Sequence, residues 1–255
     1  MQGLDLTLAL ERRLVNAWPS FAVELADGWL LRFAEGYSKR ANSATPIAPG
    51  ARLDPDLVAA AEASFRRHGI APCFRLTGVE DNGADAVLAG LGYDLYDPSV
   101  GMIAAIGGDR PIDRALRLDV VPPVPWIAAA AAAYGGDKAN GEILGRIVRA
   151  IRQPACFATM PEGDRDVAWG LAVAERGYVG LYDIVVDPAR RGAGLGRRLV
   201  TGLIEWGRRE GAASAYLQMR ESNAVAEGLY RSLGFTVAYR YRHRVPGVTR
   251  DDAPG

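Results

Sequence analysis

The sequence predicts a mixed α/β (α+β) protein made of two tandem domains, each a mixed, mostly antiparallel sheet flanked by helices. Three observations carry that prediction. The chain has 255 residues, 49% of them hydrophobic and 24% charged; it resembles itself at an offset of 142 residues; and helical and strand periodicities follow the same order in both halves. A chain of this length and apolar content buries a core without disulfides or metal. Its 30 basic residues are balanced by 30 acidic ones, so overall charge draws it neither to nucleic acid nor to an anionic membrane. The apolar runs fall short of the roughly 20 residues that cross a bilayer, and the N-terminus lacks a basic region ahead of an apolar one. No membrane partner and a cytoplasmic location are therefore expected. Cys73 and Cys156 lie singly in apolar stretches and read as inert core thiols, while His68 and His243 sit at element ends flanked by arginines, so no metal site is expected.

The repeat sets the domain organisation. Leu57-Val58 through Arg66-Arg67-His68-Gly69 matches Leu199-Val200 through Arg208-Arg209-Glu210-Gly211. The same register superposes Gly28 on Gly170, Pro46 on Pro188, Gly50-Ala51 on Gly192-Ala193, Leu53 on Leu195 and Leu91-Gly92-Tyr93 on Leu233-Gly234-Phe235. The matches fall at turns and helix ends, which predicts domains over residues 1–108 and 109–255, joined at the cluster of Gly, Pro and charge in 107–111.

In the second half, Ile143, Leu144, Ile147 and Val148 mark a helix over 140–151, which Pro154 stops. Strand-like runs follow at 156–160, 167–174 and 178–186, the last two joined through Glu175-Arg176-Gly177 as a hairpin. A Gly-rich turn at 190–196 opens a helix over 195–210 with Leu199, Leu203, Ile204 and Trp206 on its buried face, ended by Gly211 as a left-handed cap. A strand at 215–219, a helix at 223–233 and a strand at 236–243 complete the domain. Ala128 to Ala133 reads as helix propensity and close packing.

The strand-to-helix turn carries the chemistry. Arg191-Gly192-Ala193-Gly194-Leu195-Gly196 would aim unpaired N–H groups and the positive end of a helix dipole at one spot, a place for phosphate oxygens. Glycine suits such a loop because a Cβ would hold a pyrophosphate away from the amides and exclude positive-φ turns. The same residues are also compatible with an ordinary Gly-rich turn. Two familiar phosphate loops are excluded: Arg197 stands where the dinucleotide fingerprint needs its third glycine, and no Gly-Lys-Ser/Thr of a P-loop occurs.

The run from Arg191 to Gly196 resembles the R/Q-x-x-G-x-G/A loop of the GNAT superfamily of N-acetyltransferases, and Ile184-Val185-Val186-Asp187-Pro188 is similar to the strand before it. Downstream, Asn223 followed by Leu229-Tyr230 and Leu233-Gly234-Phe235 resembles the family's second signature. The two motifs stand in order, about 30 residues apart, with a helix and a strand between them. The resemblance implies that amides of Arg191, Gly192, Ala193, Gly194, Leu195 and Gly196 hold the pyrophosphate of acetyl-CoA. Backbone groups of Ile184 and Val186 would pair with the pantetheine arm, one N–H polarising the thioester carbonyl. Asn223 would bond the pantetheine or phosphate end, and Tyr230 would protonate or hydrogen-bond the departing thiolate.

The residues themselves leave alternatives. Tyr230 shares a helix face with Ala226, Leu229 and Leu233 and could be a core residue; Asn223 fits a helix N-cap equally well. A Lys-like amine, with a pKa near ~10.4, needs a base, and Asp183 is the nearest carboxylate in sequence, though a solvated strand residue would look the same. In the first half the repeat register puts Pro49, Arg52, Asp54, Asp81 and Leu88 at the positions of Arg191, Gly194, Gly196, Asn223 and Tyr230. That half resembles a degenerate copy, with Asp54 repelling any phosphate and the polar run Ser38 to Ser43 expected as a solvated loop. The expected function is transfer of an acetyl group from acetyl-CoA to an amine of unknown identity by direct attack in a ternary complex. A non-catalytic acyl-CoA sensor or scaffold is the alternative, and a homodimer is compatible with either.

Overall fold

A computed structural model describes residues 2–109, 111–133, 136 and 138–247; Arg110, within the expected joint, lies outside them. The first half runs α1 (Gln2–Ala17), β1 (Ala22–Ala26), β2 (Trp29–Phe33), a 3-10 turn (Lys39–Ala41), β3 (Ala44–Pro46), α2 (Pro55–Arg67), β4 (Phe74–Leu76), α3 (Ala84–Gly90) and β5 (Tyr93–Ala105). After β6 (Arg117–Asp119) and α4 (Val124–Ala133), the order recurs as α5 (Lys138–Arg149), β7 (Ala155–Glu162), β8 (Arg165–Glu175) and β9 (Tyr178–Val186). A second 3-10 turn (Pro188–Arg190), α6 (Leu195–Arg209), β10 (Ser214–Arg220), α7 (Ala224–Ser232) and β11 (Thr236–Pro246) complete it.

The offset of 142 residues carries α2, β4, α3 and β5 onto α6, β10, α7 and β11. Upstream it slips. Gly28 occupies the β1–β2 turn with φ of +88°, whereas Gly170 lies within β8, because the first half's strands are shorter.

All eleven strands form one sheet in the order β1-β2-β3-β4-β11-β5-β10-β9-β8-β7-β6. The halves therefore exchange their last strands. β11 pairs antiparallel with β4 of the first half, and β5 pairs antiparallel with β10 of the second. The two exchanged strands also pair with each other, from Thr236↔Ile103 to Pro246↔Tyr93. Each half completes the other's ladder, so backbone polar groups that would form two open edges are satisfied inside one sheet.

Helices cover both faces. α6 lays Leu195, Leu199, Val200, Leu203 and Ile204, spaced to fall on one side, against β7, β8 and β9, each side chain contributing about 1.5–3 kcal/mol by burial. Gly207 lets α6 approach the sheet, since a Cβ there would stand 2.5 Å from Val179 Cβ. On the opposite face, Trp126, Ile127, Leu144 and Ile147 of α4 and α5 and Leu10, Leu14 and Trp18 of the α1 segment pack over Phe157, Leu171, Tyr182 and Tyr216. In the first half, Val58, Ala61 and Phe65 of α2 close over Trp29, Leu31, Phe33 and Phe74. Cys73 and Cys156 are buried, and burial pushes both thiols up to about 12, which keeps them protonated and unreactive.

A buried polar group lies under α1 where the exchanged strands meet. Arg75 of β4 donates to both carboxylate oxygens of Glu11, at 3.0 and 2.9 Å, and its guanidinium lies 3.7 Å from the Tyr241 ring centroid. Tyr239 donates to Glu11 as well. Arg75 also contacts Nε2 of His243 at 3.3 Å. The imidazole is buried beside Arg75, and both facts hold its pKa well below the usual value, so it is neutral. The ring of Tyr239 fills the space over Gly101, where an added Cβ would fall 2.1 Å from the ring.

The expectation of a solvated loop over Ser38 to Ser43 is corrected here. Ala41, Asn42 and Ser43 are buried, and Asn42 Oδ1 accepts from the amides of Ala34 and Gly36 at 2.6 and 3.0 Å. Arg40 stacks over Trp18 at 4.5 Å and bonds Asp183 of the other half. Asn42 is satisfied by backbone within eight residues of it, while Trp18, just past α1, and Asp183 of β9 hold Arg40 from farther along the chain, so local polarity gave the wrong environment.

Gly101→Ala should destabilise the protein, because Tyr239 is held by Glu11 and cannot swing aside. Overpacking costs of about 1–3 kcal/mol predict a lower denaturant midpoint with an unchanged slope; an unaltered midpoint would show that the β5–β11 contact is looser than described.

Candidate functional site

The site begins where β9 and β10 part. These neighbours are parallel and pair only across Tyr178–Leu181 and Ser214–Leu217. Beyond those residues β9 stays with β8 and β10 stays with β5. The edges of residues 182–186 and 218–220 thus face each other across a gap with no ladder between them.

A bulge starts the divergence. The β8–β9 register shifts between Trp169↔Val185 and Leu171↔Tyr182, and Asp183 within the shift has φ of +47°. Gly170 faces the bulge. A Cβ there would meet Ile184 at 2.8 Å and Leu203 at 2.9 Å, so the glycine gives Ile184 room to turn toward α6.

At the far end of β9, Asp187 accepts from Ala189 N at 2.9 Å and turns the chain into the second 3-10 turn. Gly192 and Gly194 then adopt φ of +81° and +76°, conformations that side chains disfavour. Gly194 is the N-cap of α6, and the first helical bond runs from Arg198 N to Gly194 O at 3.2 Å. The amides of Leu195, Gly196 and Arg197 therefore project from the helix end without intrahelical acceptors. Arg191, Gly192, Ala193 and Gly194 are exposed around them, whereas the Leu195 side chain is buried in the core and leaves only its backbone to the loop. Gly196 sits against Leu229 and Val186, with a Cβ reaching them at 3.4 and 3.7 Å, which ties the helix start to α7 and to the end of β9. Arg197 donates to Ser232 at 2.7 Å and reinforces that junction.

α7 carries the second motif. Asn223 Oδ1 accepts from Ala226 N at 3.1 Å, so Asn223 is the N-cap of α7. Tyr230, one turn from the other end, is buried with Leu195, Met219 and Phe235, its ring edge-on to Phe235 at 5.7 Å. Burial alone pushes its phenol up to about 12, so it is a neutral donor at pH 7.

The structure brings Val186, the loop ending at Gly196 and the C-terminal half of α7, which carries Tyr230, together at the start of α6, whereas Asn223 caps the opposite end of α7. Asp183 stands apart in kind. Its side chain is 1% exposed and bonds Arg40 at 3.0 Å, across from the first half. Sequence reasoning missed Arg40, Trp18, Glu11 and Gln218, which meet only through the long-range packing of α1. Among the described residues, no cluster of three or more His, Cys, Asp or Glu could hold a metal ion, and no helix is long and apolar enough to cross a membrane.

The equivalent place in the first half is closed by its own backbone. Gly50 N donates to Val79 O at 2.7 Å, Asp81 N donates to Ala51 O at 3.0 Å, and Ala51 bridges Glu80 in parallel. At the start of α2, Asp54 accepts from Leu57 N at 2.9 Å, so a carboxylate of the chain itself caps that helix.

The chain that carries this splay, bulge and Gly-rich turn is an N-acetyltransferase of the GNAT superfamily by its relatives. Residues 8–244 match the family described as probable histone acetyltransferase Rv0428c C-terminal, and the chain belongs to that family. It is 28% identical over 243 residues to the uncharacterized N-acetyltransferase YobR of Bacillus subtilis, covering 92% of this chain and 97% of that one. A stretch of 74 residues is 43% identical to the ribosomal protein bS18-alanine N-acetyltransferase of Escherichia coli, covering 29% of this chain and 50% of that enzyme. Among solved structures, a GCN5-related N-acetyltransferase from Kribbella flavida superposes with a TM-score of 0.66 at 17% identity, covering 98% of both chains. A tandem GNAT protein from the clavulanic acid biosynthesis pathway gives 0.60 at 15%, covering 94% of this chain and 92% of that one. Both share the fold.

The Tyr230 phenol sets an alkaline limit. Its pKa in the unfolded chain is near 10 and in the folded protein about 12, so its contribution is complete below pH 10 and is lost as pH rises toward 12. By linkage that share is on the order of 2–3 kcal/mol. Tyr230→Phe should lose less stability than the wild type between pH 10 and 12 in denaturant titrations; equal losses would contradict the burial of the hydroxyl.

Proposed function

We propose that the chain transfers an acetyl group from acetyl-CoA to a primary amine, with residues 109–255 carrying the reaction and residues 1–108 acting as a degenerate copy that supports it. The observation that carries the reading is the unpaired edge of β9 running from the Asp183 bulge to the projecting amides of the α6 start. An extended arm with a pyrophosphate at one end and a thioester at the other fits such a track. The arm would pair with the backbone of Ile184 and Val186, and the diphosphate would accept from amides of Arg191 to Gly196 at the positive end of α6. Arg191 adds charge beside the loop. Asn223 has its Oδ1 engaged in capping, so its amide NH₂ is the part available to the cofactor.

The transfer balances with few groups. The neutral amine nitrogen forms the new C–N bond as the C–S bond breaks; the amine gives one proton to Asp183, the thiolate gains one from Tyr230, and passage of one proton from Asp183 to Tyr230 through solvent restores both. Backbone N–H groups of β9 would stabilise charge as it develops on the carbonyl oxygen. Burial keeps the Tyr230 hydroxyl protonated, so it would meet the departing sulfur as a hydrogen-bond donor and give up its proton only as charge develops there. Asp183 is proposed as the group that draws off the amine proton. Its pairing with Arg40 at 3.0 Å fixes the carboxylate, which would take the amine proton directly or through water. The similarity to an alanine N-acetyltransferase acting on a ribosomal protein makes peptides with an N-terminal alanine the first acceptors to try, beside amino acids, lysine peptides and small amines.

Three outcomes test the reading. CoA release by the wild type, measured with a chromogenic thiol reagent, should depend on one class of amine in that panel; no amine-dependent release by a protein that binds acetyl-CoA would leave binding without transfer. Gly194→Asp should abolish acetyl-CoA binding in calorimetry while the fold is retained, since it forces a side chain into positive φ and sets a charge against the diphosphate. Unchanged affinity would mean that the loop is not the binding site. Tyr230→Phe should lower kcat roughly 10- to 100-fold, the low end for a general acid because a thiolate leaves readily, with KM for acetyl-CoA little changed. Wild-type turnover would return Tyr230 to a packing role.

A further inference from the structure

We infer that Gln218 of β10 receives a hydrogen bond from the attacking amine and that Glu11 of the first half fixes it for that task; the inference rests on the acetyl-transfer reading. Gln218 is the first β10 residue beyond Leu217↔Leu181, the last rung shared with β9. It therefore stands at the apex of the gap, beside Tyr182 and the Asp183 bulge.

Its amide is oriented by what surrounds it. Nε2 donates to Glu11 Oε1 at 2.8 Å and to Tyr239 Oη at 2.6 Å. Glu11 is clamped by Arg75 through both carboxylate oxygens, and a carboxylate can only accept. A flipped amide would set oxygen against oxygen, so the NH₂ must face Glu11 and the carbonyl must face away. That carbonyl oxygen, Oε1, is shielded from solvent and has no hydrogen-bond partner among the described residues. A buried acceptor left unpaired costs free energy, and the gap between β9 and β10 is where a ligand N–H could reach it.

An acceptor that cannot take a proton suits this position. Once one N–H of a primary amine is held by Gln218, the direction of the nitrogen lone pair is limited, and attack on the carbonyl is favoured by orientation. The proton lost in the reaction is a different one. Gln218 would orient the nucleophile, and Glu11, Tyr239 and Arg75 are positioning residues that act through it. The first half then has a stated role: α1 and β4 hold the amine-binding group of the second half in one orientation.

Two matched ligands test this without the natural acceptor. S-(N-methylcarbamoylmethyl)-CoA carries an amide N–H beside its carbonyl, and S-(2-oxobutyl)-CoA has a methylene there. By calorimetry the wild type should bind the amide about 10-fold more tightly than the ketone, the scale of one buried hydrogen bond. Gln218→Leu and Gln218→Met should bring the two within about twofold while CoA affinity is kept. Equal affinities in the wild type, or a preference that survives in a variant that still binds CoA, would overturn the inference and leave acetyl transfer standing. A wild type that binds neither ligand nor CoA would overturn the reading and the inference together. With an accepting amine in hand, the variants should raise KM for the amine or lower kcat without moving KM for acetyl-CoA, a split that general loosening of the fold would not give.

Discussion

The exchange of β5 and β11 is the constraint on which the rest of the molecule depends. Because each half supplies the last strand of the other's ladder, the chain has one sheet, and the spacing of β10 from β9 is set partly by a strand that precedes it by more than 100 residues. β5 holds β10 through Arg220↔Ser99 while β8 holds β9 through Val186↔Ala168. The two inner strands are thus each anchored on the outside, and that pairing holds them apart beyond Leu181 and Leu217. Closing the gap would break backbone pairing on one flank, which such a long ladder resists.

The two halves form their strand-to-helix turns differently. In the second, glycines at positive φ turn the chain away from the gap and leave helix-end amides projecting. In the first, Gly50 and Ala51 bond the strand continuation at Val79 and Asp81, and Asp54 caps its own helix. A helix N-terminus needs acceptors, and an internal carboxylate supplies them as well as a ligand phosphate would. The helix end of the first half is satisfied within the chain, and that half serves as a platform: α1 reaches over to Gln218 and the 3-10 turn reaches over to Asp183.

What the sequence makes legible follows from the range of each interaction. Most helices and strands of the second half, the αL turn at Gly211 and the Gly-rich loop depend on local periodicity and on glycine's freedom, and they appear within a residue or two of their expected ends; β11 runs three residues past its expected end, and β6 is not among the expected elements. The offset of 142 residues finds α2, β4, α3 and β5. The strand exchange is invisible, since an antiparallel partner leaves no mark on the order of elements. For the same reason Arg40 reads as part of a solvated loop, although it is fixed against Asp183 of the other half. Asn223 and Tyr230 are found by motif, yet the motif alone does not separate a cap from a ligand group, and in Asn223 one oxygen already serves as the cap.

Hydrogen exchange of backbone amides, read with and without acetyl-CoA on the intact chain, tests the central claim most directly. The account predicts added protection at residues 184–186 and 191–197 and none at 47–54, where Gly50 is bonded within the chain. Protection at both places, or at 47–54 alone, would contradict a single cofactor track in the second half.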